Sequence, residues 1–343
     1  MPPRIFDGHN DVLSRLAGAG PDAERGFLAG DGEGHLDLPR AERGGLAGGC
    51  FAVFTCCPAD ADYDSGAYYT PVEQLRALAE ALAQVALVLR LERESGGRLA
   101  VARDGAALDR DGLAAVLHLE GAEPLTRGLD ELEVLHAAGM RSLGLVWSRP
   151  NAFATGVPFA FPGSPDQGPG LTDAGRALVR ACDELGIVVD LSHLNARGFW
   201  DVAELSPAPL IASHSGAHAL CPSPRNLTDD QLRAIGASGG LVGINFHVGF
   251  LRADGAENAD TPLTAIAEHA AYVAELAGVD AVALGSDFDG ATMPEALGDV
   301  CGLPAVLDAL GAAGFDDVDL DKVACGNWRR VLAATWGERQ LRH

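Results

Sequence analysis

The sequence predicts an α/β chain folded as a closed (β/α)8 TIM-type barrel, a single domain over residues 1–343 with long loops covering its active-site face. Three observations point there. Eight short apolar or β-branched runs alternate with longer helical patterns, the signature of βα units and a parallel sheet. Several of those runs end in ionisable side chains, and barrels of this kind keep their catalysts at the carboxyl ends of their strands. The 343 residues would accommodate two average domains or one large barrel, and the lack of an internal repeat or low-complexity linker favours one.

In chain order the runs are Ile5 to His9, Cys50 to Thr55, Ala114 to Glu120, Arg141 to Trp147, Ile187 to His193, Pro209 to Ser215, Leu241 to Phe246 and Ala281 to Asp287. Between them, Pro71 to Glu94 reads as a helix with Leu75, Leu78, Leu82, Val85 and Leu89 on its buried stripe, stopped by Gly96-Gly97. Thr172-Asp173 precedes a helix closed by Gly186, and Thr228-Asp229-Asp230-Gln231 is a capping-box pattern before Leu232 to Ala237. Thr264 to Ala277 ends at Gly278. Ser14 to Arg40 and Ser148 to Gly170 read as long loops, and loops that follow strands build the active-site face.

Composition removes several classes of function. Hydrophobic residues at 48% and charged residues at 21% are ordinary globular usage and argue against disorder. A net charge of −23 opposes binding to nucleic acid or to an anionic membrane, both of which require a basic footprint. Seven cysteines without C-x-x-C spacing form neither a zinc knuckle nor a disulfide framework, and Cys56-Cys57 read as two buried small residues. With no run long enough to span a membrane and no room for a signal peptide before His9, a cytoplasmic location is expected. The Gly44 to Gly49 stretch precedes a strand, whereas phosphate cradles follow one. Ser213-His214 is poorly aimed for nucleophilic catalysis, since neighbours on a strand point to opposite faces.

The chemistry gathers at the strand ends. Asp7-Gly8-His9-Asn10-Asp11 places a His and an Asp two positions apart, on one face of the first strand. Later ends supply Glu120, His193, His214 and Asp287. Ionisable residues on buried strands cost desolvation unless paired, and a metal would pair with all of them. His9, Asp11, Glu120, His193 and His214 form a mixed nitrogen and oxygen set suited to zinc. Five ligands exceed the needs of one open catalytic ion. Two ions sharing Glu120, one also held by His9 and Asp11 and the other by His193 and His214, account for them, with hydrolysis by a metal-bridging hydroxide as the natural reaction. His118 and Asp7 lie two residues before ligands and read as their supporting partners, and Asp289 as structural.

Taken with Arg225-Asn226, Gly285-Ser286-Asp287-Phe288-Asp289-Gly290 and Asn327, these motifs span almost the whole chain, which resembles the renal or membrane dipeptidases, binuclear zinc hydrolases of the amidohydrolase superfamily. The resemblance implies two Zn2+ per chain, a small dipeptide substrate with L-Xaa-D-Xaa members included, and a homodimer. It implies that Asp287 passes a proton from the bridging water to the leaving amine and that Arg225 clamps the substrate carboxylate. One departure stands out. Family members known for dipeptide hydrolysis carry a His at the end of the fourth strand, where it binds the substrate carbonyl, and here Trp147 occupies that place. Trp147 therefore keeps open a second substrate class for the same metals: an N-acyl amino acid, a cysteinylglycine conjugate or a β-lactam-like amide. A catalytically silent binding barrel is the third reading, opposed by the stability burden of unused buried charges.

Overall fold

The computed structural model describes residues 4–20, 22–57 and 69–337. Nine parallel strands form its sheet: β1 (Ile5–Asn10), β2 (Leu46–Phe54), β3 (Leu99–Val101), β4 (Leu113–Glu120), β5 (Met140–Gly144), β6 (Val188–Asp190), β7 (Ile211–Ser215), β8 (Leu241–Ile244) and β9 (Val282–Leu284). Eight of them close into a barrel in the order β2-β1-β9-β8-β7-β6-β5-β4, with β4 returning to β2 from Gly48↔Ala114 to Phe54↔Glu120. The chain thus has the expected (β/α)8 architecture. The ninth strand, β3, was not anticipated. Three residues long, it shares an edge of β4 with β5, pairing at Leu99↔Leu113 where β5 begins at Leu117↔Met140.

Two apolar layers hold the barrel. Outward-facing residues such as Ile5, Phe51, Leu117, Leu143 and Val242 pack against the surrounding helices. Inside the lower barrel, Phe6, Val116, Val188, Ile211 and Leu241 meet Trp328 and Trp336 of the helix Asn327–Trp336, which plugs the amino-terminal end of the barrel. Trp328 Nε1 donates to Leu284 O at 3.0 Å, and Asn327 Nδ2 donates to Val279 O and Val282 O. Because this end is closed, the functional residues gather at the other. No helix among the described residues is long and apolar enough to cross a membrane.

The helix boundaries follow local chemistry. Thr172 accepts from Gly175 N and Gly186 terminates helix Asp173–Leu185 in the left-handed region, while Thr228 and Gln231 form the capping box of Asp229–Ala237.

Several expectations need correction. The stretch read as a loop from Ser14 to Arg40 holds the short helices Val12–Gly18 and Ala23–Ala29 and the start of Leu38–Gly44, each only seven residues and separated by glycine-rich turns that hide their periodicity. Helix Gln74–Glu94 buries Ala77, Ala81, Gln84, Val85, Val88 and Leu91, leaving Leu75 and Leu82 68% and 46% exposed. Gln84 sets that rotation. Its amide accepts from Phe54 N and donates to Phe54 O, tying this face to the end of β2. β2 itself begins at Leu46, because Gly48 and Gly49 sit in the strand where β1 approaches too closely for a side chain. Cys56 is exposed and Cys57 half-buried, where burial of both was expected.

Candidate metal centre

Glu120 ends β4 at the centre of the site, its two carboxylate oxygens turned in different directions. Oε2 lies 3.7 Å from His9 Nε2, which is 3.4 Å from Asp11 Oδ2. Oε1 lies 3.1 Å from His193 Nε2 and 3.6 Å from His214 Nε2, and those two nitrogens are 3.0 Å apart. The structure therefore brings together the five residues expected to bind metal, as two donor pairs on either side of one carboxylate. His214 stacks on His9 with centroids 3.8 Å apart. All five are buried, whereas Asp287 is partly exposed.

The route to this geometry differs from simple strand alternation. β1 slips against β2 between Asp7 and Asn10, and Asp11 lies one residue past the strand, in the turn before Val12–Gly18. His193 and Asp287 lie three residues beyond the ends of β6 and β9, with φ of 66° and 65°. Left-handed backbone costs a non-glycine residue about 1 kcal/mol and is concentrated at functional sites. Two backbone bonds hold the junction: Asp287 N donates to His9 O at 3.0 Å and Asp11 N to Phe288 O at 2.8 Å. Gly290 is required beside them, since a Cβ there would overlap the Asp11 carboxylate and approach Asp287 Oδ1 to 2.8 Å.

A ring of polar partners orients the imidazoles. Ser213 Oγ donates to Asp190 Oδ2 at 2.5 Å and lies 2.8 Å from His214 Nδ1, a geometry that protonates Nδ1 and presents the Nε2 lone pair to Glu120. Ser148 Oγ stands 2.7 Å from His193 Nδ1. One layer deeper, His118 Nδ1 meets Ser142 Oγ at 2.9 Å, and Asp7 accepts from Ser286 N and Oγ at 2.7 and 2.9 Å. Asp289 ties Arg15 to the backbone of His35. Adjacency on a strand was expected to keep Ser213 and His214 apart. The two side chains do meet, at a place where β7 slips against β8 between Ala212 and Ser215, but with its hydrogen given to Asp190 the Ser213 hydroxyl supports His214 and is not poised as a nucleophile.

Burial dominates the electrostatics. It raises the carboxyls, Asp11 to about 7 and Glu120 well above the usual carboxylate range, and it pushes His193 and His214 well below the usual imidazole range. Desolvated carboxylates beside neutral imidazoles have the electrostatics of a cation site, because a bound cation supplies the counter-charge that burial removes. His9 Nε2, buried without a hydrogen-bond partner, gives independent support. The sets His9, Glu120, His214 and His9, Asp11, Asp287 each offer ligand atoms within 4.8 Å of one another, so the residues present fit a metal.

Asp287 adjoins this centre. Burial raises its carboxyl above the ordinary range, opposed by the charge of His9 and by Asn245, whose Nδ2 donates to Oδ2 at 2.9 Å. Arg225 is buried, donates Nη2 to His214 O at 3.0 Å and sets its guanidinium 5.4 Å from the Phe250 ring. Trp147 packs 5.8 Å from His193 and 5.1 Å from the buried guanidinium of Arg149, which pairs with Glu123 at 2.8 Å. His247 pairs with Glu257 at 2.8 Å. Sequence reasoning missed Ser148, Asn245 and Arg149. Of these, Arg149 carried a usable signal, a basic residue two positions after the fourth predicted strand.

With the geometry in hand, comparison with known proteins is specific. The model of the membrane dipeptidase family, peptidase family M19, matches residues 3–340. An uncharacterized protein in the pqqA 5′ region of Klebsiella pneumoniae is 49% identical over 257 residues, 74% of this chain and 95% of that protein. The crystal structure of a metallo peptidase from Rhodobacter sphaeroides, liganded with a phosphinate mimic of the dipeptide L-Ala-D-Ala, superposes with a TM-score of 0.93 at 44% identity, covering 98% of this chain and 100% of that one. The crystal structure of the metallo peptidase dipeptidase AC gives 0.92 at 46% identity, with the same coverage of 98% and 100%. The chain belongs to the membrane dipeptidase family, peptidase family M19, and is a metallo-dipeptidase.

Proposed function

We propose that residues 1–343 act as one catalytic unit, a binuclear zinc dipeptidase that cleaves small dipeptides, L-Xaa-D-Xaa members included. The observation that carries this reading is Glu120, whose two oxygens face the His9/Asp11 pair and the His193/His214 pair. Two zinc ions held by these residues would supply Lewis acidity for the amide carbonyl and a hydroxide nucleophile near neutral pH. The phosphinate dipeptide mimic held by the Rhodobacter sphaeroides relative supports the substrate class and its stereochemistry.

The chain's own side chains have separate tasks. Asp287, aimed by Asn245, takes a proton from the attacking water and passes it to the leaving amine. Arg225 binds the terminal carboxylate of the dipeptide, which fixes the register of the amide against the centre. Ser148 and Ser213 hold His193 and His214 with Nε2 directed inward. Trp147, buried beside His193, excludes water there.

Metal analysis of freshly purified protein, coupled to a dipeptide screen with L-Xaa-D-Xaa members and Asp287→Asn as control, tests this. Two zincs per chain are expected, with Asp287→Asn retaining them and losing at least about a hundredfold in kcat. Fewer than one metal per chain would sink the binuclear assignment, and undiminished turnover in Asp287→Asn would remove Asp287 from the reaction.

A further inference from the structure

Four side chains form an unbroken series along one side of the site. The Phe159 ring centroid is 6.2 Å from His193, Phe250 is 5.6 Å from Phe159, and the Arg225 guanidinium is 5.4 Å from the Phe250 ring. Trp147 stands 5.3 Å from Phe159 and 5.8 Å from His193. Phe159 belongs to the irregular segment between β5 and helix Asp173–Leu185. Its backbone N–H donates to Tyr69 Oη at 3.3 Å, and the Tyr69 ring meets it edge to face at 6.1 Å. It is half-buried, whereas Phe250 is buried.

We infer that Phe159, with Phe250 behind it, forms the wall against which the side chain of the dipeptide's C-terminal residue lies, so that the enzyme selects an apolar residue there. The inference rests on the reading of Arg225 as the carboxylate clamp and of His193 as part of the centre that receives the scissile carbonyl. In a dipeptide those two groups are separated by a single residue, about 3.8 Å of chain. Both anchors are tied to the end of β7: Arg225 donates to His214 O, and His214 Nε2 is 3.0 Å from His193 Nε2. The one side chain between the two anchors therefore faces what lines the gap between them, the Phe159 and Phe250 rings. Trp147 packs against both Phe159 and His193, at 5.3 and 5.8 Å, at the His193 end of this wall. A wall of two aromatic faces gains from apolar surface and cannot solvate a charge, so glycine and acidic residues at the C-terminal position are the poor substrates.

The test compares kcat/KM on two series, Ala-Xaa and Xaa-Ala, with Xaa as Gly, Leu and Asp and the C-terminal residue supplied in both configurations. Wild type should prefer Ala-Leu to Ala-Gly and Ala-Asp. Phe159→Ala should lower the Leu-to-Gly ratio by about tenfold or more, chiefly through KM, while the Xaa-Ala ratios and the metal content stay as in wild type. Phe159→Leu, which keeps apolar bulk, should retain most of the preference. An unchanged Ala-Xaa ratio in Phe159→Ala, or a change confined to Xaa-Ala, overturns the assignment. Wild-type enzyme that cleaves dipeptides with no dependence on the C-terminal side chain also overturns it, whereas wild type that cleaves none refutes the proposed dipeptidase reading beneath it.

Discussion

The hydroxyl of Ser213 stands 2.8 Å from Nδ1 of His214, its neighbour in sequence, while donating to the Asp190 carboxylate at 2.5 Å. Nε2 of His214, the nitrogen that faces Glu120, is thereby set from behind by a carboxylate acting through a hydroxyl. Ser213→Ala leaves the backbone bond from residue 213 to Asp190 Oδ1 in place and removes only this link. Metal affinity, read by competition with a chelator, should fall roughly 10–100-fold. Equal affinity in wild type and variant would show that His214 needs no such support.

Asn245 donates to Asp287 at 2.9 Å, and this bond opposes the upward pull of burial on the carboxyl. Asn245→Ala removes the opposition, so the folded-state pKa of Asp287 rises and the ionised form that the proposed proton abstraction requires appears only at higher pH. The acid limb of the kcat/KM profile should move upward, with activity down roughly tenfold on that limb and much less at alkaline pH. A uniform loss across the profile would assign Asn245 a packing role instead.

Trp147 packs beside His193 where an imidazole would add a second ring nitrogen and the capacity to be protonated. Trp147→His should raise kcat on dipeptides, by about tenfold or more if the new donor reaches the oxyanion. Steady-state kinetics at saturating substrate decides this, and unchanged turnover would place Trp147 away from the reacting centre.

His269 lies outside the metal centre, accepting from Ala217 N at Nδ1 and donating to Leu251 O at Nε2. Burial pushes its pKa down to about 4. Because the folded value lies below the unfolded one, its contribution is fully present above about pH 6.5 and is lost as pH falls toward 4, amounting to roughly 3 kcal/mol when complete. His269→Asn should therefore lose less stability than wild type between about pH 7 and 4.5 in urea titrations. Parallel pH profiles for the two proteins would contradict the assignment.

Much of the fold was legible because strand cores and helix caps are local. The eight runs, the capping box at Thr228 and the terminating Gly186 are each written in a few consecutive residues. The short helices before β2 escaped notice because seven residues give too little periodicity, and the buried face of Gln74–Glu94 was misread because Gln84, a polar residue, anchors it to Phe54.

The sequence by itself determined the order of βα units and which imidazoles and carboxylates stand at the ends of the strands, because side-chain type and spacing are properties of the chain. Only the tertiary structure decided how they meet. The slips of β1 and β7, and the left-handed backbone at His193 and Asp287, depend on neighbouring strands far away in sequence. Around these irregularities Glu120 stands between two donor pairs and Ser213 lies behind His214. Strand alternation, the rule available from sequence, describes regular pairing and fails where the pairing slips.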